Sequence, residues 1–532
     1  VNTRGIVRHS LKLVFLTAGS RVLGLVREIV RAAYLGTTAF SDAFTIAFLL
    51  PNLMRKLFAE GSIAVAFVPT FKGYIIEDNK EKIRLFLSSF LTVLTFLVVT
   101  VVTLGILFTG PLIHTFYAEL TPDIQQETAF LTRIMFPYLA FISMAAFFQG
   151  ILNSVNIFGP AGAVPMVFNG CIIASTVLLS PYMDNPARAM TVGVIVGGSL
   201  QALLQFPYVL KAGFRFCFRP LRDAFRDPGV RKIFLLVGPT VIGMAAYELN
   251  VLASSVIAST AGTGVVSSLQ FSNRLLELLL GIFAVSIGTV VLTELSENAK
   301  RNEWEKFTGH LLFSINVIAL VTIPATLIAL MNGREIITLV FKARAFGDDS
   351  VTLTTAIFLC HIAGLYFIAA NRVLAPAFYA QEDTKSPTWA GMWSFGANIA
   401  LCLALVGPLK GQGIALAATL AALVNTTFLV LPLIRKRRDA FGPMTGRAAL
   451  YALRILLISL GIAAPLYFLK PYLYGLFAGN GWRLIAFGIP LTIVSIIFFI
   501  LFFAALFLMK DAQALWLAGK LKSRFLRRND HG

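Results

Sequence analysis

Residues 20–61 read SRVLGLVREIVRAAYLGTTAFSDAFTIAFLLPNLMRKLFAEG. Most of the stretch is apolar enough to lie in hydrocarbon, and it forms the body of two adjacent helix-length segments. It nevertheless carries Arg21, Arg27, Glu28, Arg31, Asp42, Arg55, Lys56 and Glu60. An unpaired charge in lipid is costly, so such groups pair, face a polar interior or snorkel to an interface. Which of these applies depends on what surrounds the stretch.

The surroundings are those of a membrane protein. Of the 532 residues, 57% are hydrophobic and only 13% are charged, with a mean hydropathy of +0.79. A soluble chain of this length needs far more polar surface. Apolar runs near the roughly 20 residues of a membrane-crossing helix recur from end to end. A soluble protein of buried helices is excluded, because its helices would not be apolar all round throughout the chain. The four cysteines, Cys171, Cys217, Cys360 and Cys402, are scattered and lack metal spacing, so they read as reduced filler. The five histidines form no cluster. The basic N-terminal residues read as the start of the first span and not as a removed signal.

The predicted fold is an all-α polytopic membrane protein of fourteen spans. They lie near 10–35, 42–71, 84–108, 126–151, 158–180, 189–210, 230–258, 264–295, 307–330, 350–379, 387–406, 412–434, 449–469 and 484–509. Pro51, Pro137, Pro376 and Gly281 sit inside spans as candidate bends. With the N-terminus in the cytoplasm, the inner segments hold 29 lysines and arginines and the outer ones seven, the asymmetry that retention of positive loops predicts. This accounts for most of the net charge of +19. The basic stretches 215–232, 434–447 and 520–528 are then cytoplasmic rims, with attraction to anionic membrane lipids as an added role. Nucleic-acid binding is not needed to explain them.

Faint internal echoes suggest duplication. Phe108-Thr-Gly-Pro-Leu-Ile-His resembles Met331-Asn-Gly-Arg-Glu-Ile-Ile, and Asp78-Asn-Lys-Glu-Lys-Ile-Arg resembles Lys300-Arg-Asn-Glu-Trp-Glu-Lys. Six spans separate each pair, so the halves keep the same orientation as parallel repeats. The expected organisation is an N-terminal lobe (1–225), a second lobe (226–440) and a two-helix appendix with a basic tail (441–532). A cleft between two such lobes is the expected path of an alternating-access transporter.

Charged residues inside the spans mark where such a path runs. Arg27 and Arg31 are four apart and share a helix face. Arg274 and Glu277 are neighbours in span 8, which corresponds to span 2 under the repeat. Pairing is expected for Arg274 with Glu277, and for Arg27 or Arg31 with Asp42. The first lobe still carries more arginine than carboxylate, and a cation surplus within a membrane suits an anionic substrate. Arginine suits phosphate through its several donors.

The segments SRVLGLVREIVRAAYLG, SDAFTIAFLLPNLMRKLFAEGSIAVAFVPTF, FSNRLLELLLGIFAVSIGTVVLTELS and RVLAPAFYAQEDTKSP resemble the MurJ/MviN family of bacterial lipid II flippases, within the multidrug, oligosaccharidyl-lipid and polysaccharide exporters. The resemblance covers essentially the whole chain. It implies that Arg21, Arg27, Arg55 and Arg274 bind substrate, and that Asp42, Glu60 and Glu277 pair or gate. Arg31, Asn273, Glu248 and Arg372 are secondary candidates. Asn273 stands where some members have aspartate. Some members are proposed to bind sodium, and Glu248 and Asn398 match such ligands by position. The resemblance also implies a hydrophobic groove at spans 13 and 14 for the lipid tail.

The expected activity is transfer of lipid II, an undecaprenyl-pyrophosphate-linked peptidoglycan precursor, across the bacterial cytoplasmic membrane, with both termini cytoplasmic. No cofactor, resident metal or catalytic residue is expected. With no GxxxxGK[ST] motif, the drive is membrane potential or a monovalent cation such as sodium. Partners would be lipid II, membrane lipids and the cell-wall synthesis and division machinery. The alternative is export of another polyprenyl-linked saccharide or an amphipathic drug. An enzyme acting on lipid-linked precursors fits less well, because the outer loops are short and Asp348/Asp349 is the one obvious acidic pair there.

Overall fold

The computed structural model describes residues 3–56, 66–516 and 519. Among them every regular element is helical, apart from one isolated bridge between Ala343 and Phe346. In lipid a helix satisfies its own backbone groups, which an open strand does not. Eight helical stretches among the described residues are long and apolar enough to cross a bilayer. A ninth arises if two helices joined by a 43° bend, Asp348–Ile362 and Leu365–Tyr379, count as one. The chain is an integral membrane protein.

By packing, the chain forms two compact units. One is Val1–Ser267 with Ala343–Gly347, and the other is Ser268–Lys342 with Asp348–Gly532. The lobe boundary expected at 225/226 falls inside the first packing unit. The helix that opens the second half lies against helices of the first unit.

The first unit contains α1 (Thr3–Leu35), α2 (Ala39–Arg55), α3 (Val68–Ile76), α4 (Lys80–Phe116), α5 (Pro122–Met135), α6 (Tyr138–Ser154), α7 (Gly159–Leu179), α8 (Pro186–Lys211), α9 (Leu221–Arg226) and α10 (Pro228–Ser259). Local chemistry sets many of the ends. The side chains of Asn79, Asn185 and Asp227 accept backbone N–H bonds at the starts of α4, α8 and α10, which supplies partners the first turn lacks. Pro137 separates α5 from α6, as a residue without an N–H does. Pro51 and Pro376, by contrast, lie within continuous helices. On α8, glycines let α7 approach closely. A Cβ on Gly193 would lie 2.1 Å from Ser175 Oγ, and one on Gly197 would lie 2.9 Å from the Phe168 ring. Small residues four apart are how membrane helices reach close contact. The core is aromatic: Phe67 packs with Phe71, Phe86, Phe90 and Phe147 at ring separations of 4.8–5.8 Å.

The second unit contains most of α11 (Val265–Lys300), with α12 (Trp304–Met331), α13 (Gly333–Phe341), α14 (Asp348–Ile362), α15 (Leu365–Tyr379), α16 (Lys385–Lys436), α17 (Arg438–Gly475) and α18 (Ile489–Leu508). The 52 residues of α16 are two helices, broken at Lys410 (φ 48°, ψ −131°). The break falls in the gap expected between spans 11 and 12. The bend between α14 and α15 was not foreseen, since the apolar pattern runs through it.

Asp383 closes the corner between α15 and α16. It accepts from the Ser386 N–H at 2.9 Å, the Ser386 hydroxyl at 2.7 Å and the Lys436 ammonium. Burial pushes its carboxyl up, but Lys436 and Ser386 outweigh that and hold it at about 2. A depressed carboxylate stabilises the fold above its unfolded pKa, and the gain disappears as pH falls through the folded value. Between about pH 5 and pH 2 the wild type should therefore lose about 1 kcal/mol more than Asp383→Asn, a modest figure for a solvent-screened pair. Thermal unfolding across this range measures the difference, and equal acid shifts in the two proteins would contradict the assignment.

Candidate functional site

The charges of α1 form a triad centred on Glu28. Glu28 Oε1 accepts from Arg27 Nη2 at 2.6 Å and Nε at 3.2 Å, and its Oε2 accepts from Arg31 Nη1 at 3.3 Å. Arg27 Nη1 also donates to Asn169 Oδ1 on α7 at 3.0 Å. Glu28 and Arg31 are buried, at 3% and 4% exposure, whereas the Arg27 side chain keeps 20%. Two arginines share one carboxylate, so the triad carries a formal charge of +1.

The second guanidinium is directed inward. Arg31 Nη2 donates to the Ser41 carbonyl, the Ser41 hydroxyl and Thr45 Oγ1, and the group lies 5.7 Å from the Phe44 ring. Arg31 thus ties α1 to the start of α2, while Arg27 is the member with an accessible edge. Arg21 is exposed on the same helix.

Arg31 and Asp42, an expected pair, attract each other through charge without a direct hydrogen bond between them. Both arginines turn to Glu28, and Asp42 takes backbone donors. Its Oδ2 accepts the Gly264 N–H at 2.5 Å and its Oδ1 the Ser267 N–H at 2.8 Å. These amides begin α11, where N–H groups lack helical partners and the helix dipole favours an anion. Asp42 is 2% exposed. Gly264 has φ +82°, and a Cβ there would lie 2.3 Å from the Thr37 carbonyl oxygen.

The turn after α1 receives residues 343–347, which belong to the same unit. The Ala345 N–H donates to the Ala33 carbonyl at 3.0 Å, and the Arg344 guanidinium lies 4.7 Å from the Tyr34 ring. Phe346 is fully buried. Gly36 (φ +55°) has no room for a side chain, since its Cβ would sit 2.4 Å from the Ala345 oxygen.

At the other end of α2, Arg55 Nε donates to Asn52 Oδ1 at 2.9 Å. Lys56 contacts both oxygens of Glu248 on α10, at 2.9 and 3.2 Å. Glu248 is 5% exposed, so the carboxylate matched to a sodium ligand is occupied here by a tethered ammonium. Asn398 is buried in the second unit. Glu248 is buried but the Lys56 side chain keeps 32% exposure, so stranding the carboxylate by Lys56→Ala should cost about 2 kcal/mol in unfolding free energy. Adding Glu248→Gln should recover most of that. A double variant no more stable than Lys56→Ala would contradict the pairing. Glu60 lies outside the described residues.

In the second unit, Arg274 Nη1 lies 3.3 Å from Glu277 Oε2, with side-chain exposures of 26% and 50%. This is the pairing expected from their spacing. Asn273 and Arg372 are exposed on α11 and α15.

The second unit also contains a cavity of about 870 Å³ between α12, α15, the C-terminal part of α16 and the N-terminal part of α17. Leu327, Phe367, Val430 and Ala452 are among its walls. Its threonine hydroxyls are spent on the protein: Thr326 donates to the Ile362 carbonyl, Thr427 to Leu423 and Thr445 to Gly442, and Thr426 donates to Asn371 Oδ1, while Tyr366 adds one further hydroxyl to the wall. The cavity therefore offers a mainly hydrocarbon surface. The expected groove involved spans 13 and 14. Here α17 lines the space, while α18 packs Val494, Phe498, Phe502 and Leu506 into a core shared with α12 and α17.

Comparison with known proteins is consistent along the chain. The family model described as lipid II flippase MurJ matches residues 31–482. A probable lipid II flippase MurJ of Treponema pallidum (strain Nichols) is 40% identical over 499 residues, covering 93% of this chain and 94% of the relative. One from Haemophilus influenzae is 31% identical, covering 86% and 91%. A solved structure of lipid II flippase MurJ in an inward closed conformation superposes with a TM-score of 0.75 at 26% identity, covering 93% of this chain and 99% of that one. An inward-facing multidrug resistance MATE family transporter of the MOP superfamily shares the fold, with a TM-score of 0.64 at 11% identity, covering 80% and 96%.

Proposed function

The chain belongs to the lipid II flippase MurJ family, and from that premise we propose that it carries lipid II from the cytoplasmic to the outer leaflet of the bacterial inner membrane by alternating access. The observation that carries the reading is the triad of Arg27, Glu28 and Arg31. It leaves a net positive charge with an accessible guanidinium edge on a membrane helix. A diphosphate matches that edge through charge-assisted, multidentate hydrogen bonds. In this reading Arg21, Arg27 and Arg55 are the first unit's candidates for contact with the charged head, and Arg274 is a candidate in the second unit. Glu28 is a positioning residue for Arg27.

Both termini are cytoplasmic in this reading, with fourteen crossings, in keeping with the excess of lysine and arginine in the inner segments. The prenyl tail stays in an apolar environment throughout, and the protein lowers the large cost of taking the charged head through hydrocarbon. Membrane potential or a monovalent cation gradient drives the cycle, each charge moved being worth about 2.3 kcal/mol per 100 mV. The cell-wall synthesis and division proteins that consume lipid II are the expected partners.

Expression of the chain in bacteria depleted of their own lipid II flippase tests the reading. Growth should be restored, and lipid II head groups should reappear outside intact cells. Continued lysis despite normal membrane insertion would instead favour another polyprenyl-linked cargo.

A further inference from the structure

Residues 343–347 join α13 to α14, both helices of the second unit, yet they pack with the first unit. The chain leaves one unit and returns to it within these five residues. Three contacts seat the segment on the end of α1: the Ala345 N–H on the Ala33 carbonyl, the Arg344 guanidinium beside the Tyr34 ring, and the wholly buried Phe346 side chain. Its neck is pinned as well. Lys342 donates to both oxygens of Asp348, at 2.7 and 2.9 Å, and the Phe346 N–H donates to the Ala343 carbonyl at 2.8 Å. A loop that goes out and back in five residues has little slack. Any motion that carries residues 342 and 348 away from α1 therefore draws Phe346 out of its site.

A second connection has the same form. The turn between α4 and α5 carries Tyr117, which is 2% exposed and donates its phenol to Ser255 Oγ on α10 at 3.3 Å. The Gln125 amide braces this turn on the carbonyls of Tyr117, Ala118 and Leu120, each at 3.1 Å.

The two connections are related through the duplication inferred from the sequence. Phe108 and Met331, which open one pair of echoes, are 223 positions apart. The helices α1 and α10 end at Leu35 and Ser259, 224 positions apart, which makes them the equivalent opening helices of the two repeats. The turn after α4 likewise corresponds to the segment after α13. Each connection thus sits on the last two turns of the opening helix of the other repeat. Contacts exchanged in this reciprocal way are kept or lost together when two repeats rock against each other.

We propose that residues 343–347 and the Tyr117 turn are paired straps, which close the outer end of the protein and release together when it opens. The proposal rests on the flippase reading, which places these helix ends on the outer side. Phe346 is the principal anchor. Gly36 is the seat that lets the strap backbone approach, since a Cβ there would meet the Ala345 oxygen at 2.4 Å.

Hydrogen exchange on the full chain in nanodiscs of phosphatidylethanolamine and phosphatidylglycerol tests this, first without substrate. Phe346→Ala should speed exchange of the Ala345 and Phe346 amides by at least about tenfold, because emptying a phenylalanine site is among the costlier core changes. The Tyr117 and Leu120 amides of the other strap should accelerate with them. Phe346→Leu should produce the same coupled change to a smaller extent. Acceleration confined to 343–347, or none at all, would overturn the paired release. A second arm follows wild-type protein in proteoliposomes with lipid II, scoring transfer and exchange together. Both straps should exchange faster during transfer, and unchanged exchange during measured transfer would overturn the proposal. Absence of transfer alongside coupled exchange in the first arm would remove the flippase reading and leave the paired straps.

Discussion

Arg27→Ala should abolish growth rescue of flippase-depleted cells while leaving the protein folded and in the membrane. Without Arg27, Glu28 pairs one-to-one with Arg31, and the triad falls from +1 to neutral. Glu28 keeps Arg31 through Oε2, while Oε1 loses both Arg27 donors, so some stability is lost without unfolding the protein. What is lost is the guanidinium edge available to an anion. Truncating one partner of a desolvated charge contact costs at least about 2 kcal/mol, and about 3 kcal/mol is more than a hundred-fold in affinity. Arg27→Lys should fail nearly as badly. An ammonium cannot reach Glu28, Asn169 and a phosphate together, as the planar fork of arginine does. Binding of lipid II to purified protein, measured with unfolding temperature as the control, separates the two effects. A variant that binds normally, or one that is merely unfolded, would contradict the assignment of Arg27 to the substrate.

Asp42→Ala should have the largest effect on stability. It leaves the Gly264 and Ser267 amides without their acceptors in a site where Asp42 is 2% exposed. An unsatisfied buried donor costs about 1–3 kcal/mol, so the pair together should lower unfolding free energy by about 3 kcal/mol. Asp42→Asn replaces one acceptor oxygen with an amide donor facing an N–H, so it should recover at most half. Hydrogen exchange provides a specific readout, because both amides should exchange faster in Asp42→Ala while the rest of α11 is less affected. Unchanged exchange at Gly264 and Ser267 would show that the carboxylate does not hold that turn.

The helical membrane fold was legible because it depends on local properties. Apolar length marks the spans, and the gap at 407–411 coincides with the break at Lys410. The charged residues of α1 and α2 were equally visible, but their partners were not. Asp42 meets Gly264 across 222 positions, and Lys56 meets Glu248 across 192. Nothing in sequence spacing selects those pairs over an arginine one turn away. Glu28 was the recoverable omission: it directly follows Arg27 and stands three before Arg31, a spacing that places a carboxylate beside both. Residues 343–347 had no signal of docking, since Gly36 reads as an ordinary turn glycine until its neighbour is known. The apolar cavity of the second unit is a tertiary feature, with walls from four helices brought together by packing, and α18 turns its aromatic face elsewhere.

The most direct test of the account uses purified protein in proteoliposomes containing lipid II in both leaflets. Head groups in the outer leaflet are converted by an added impermeant enzyme, and the inner pool is followed with time. The account predicts that wild-type protein makes essentially all of the lipid II accessible, while liposomes with Arg27→Ala or Arg274→Ala stop near half, as empty ones do. Half-accessibility with folded wild-type protein, or full accessibility with both alanine variants, would contradict it.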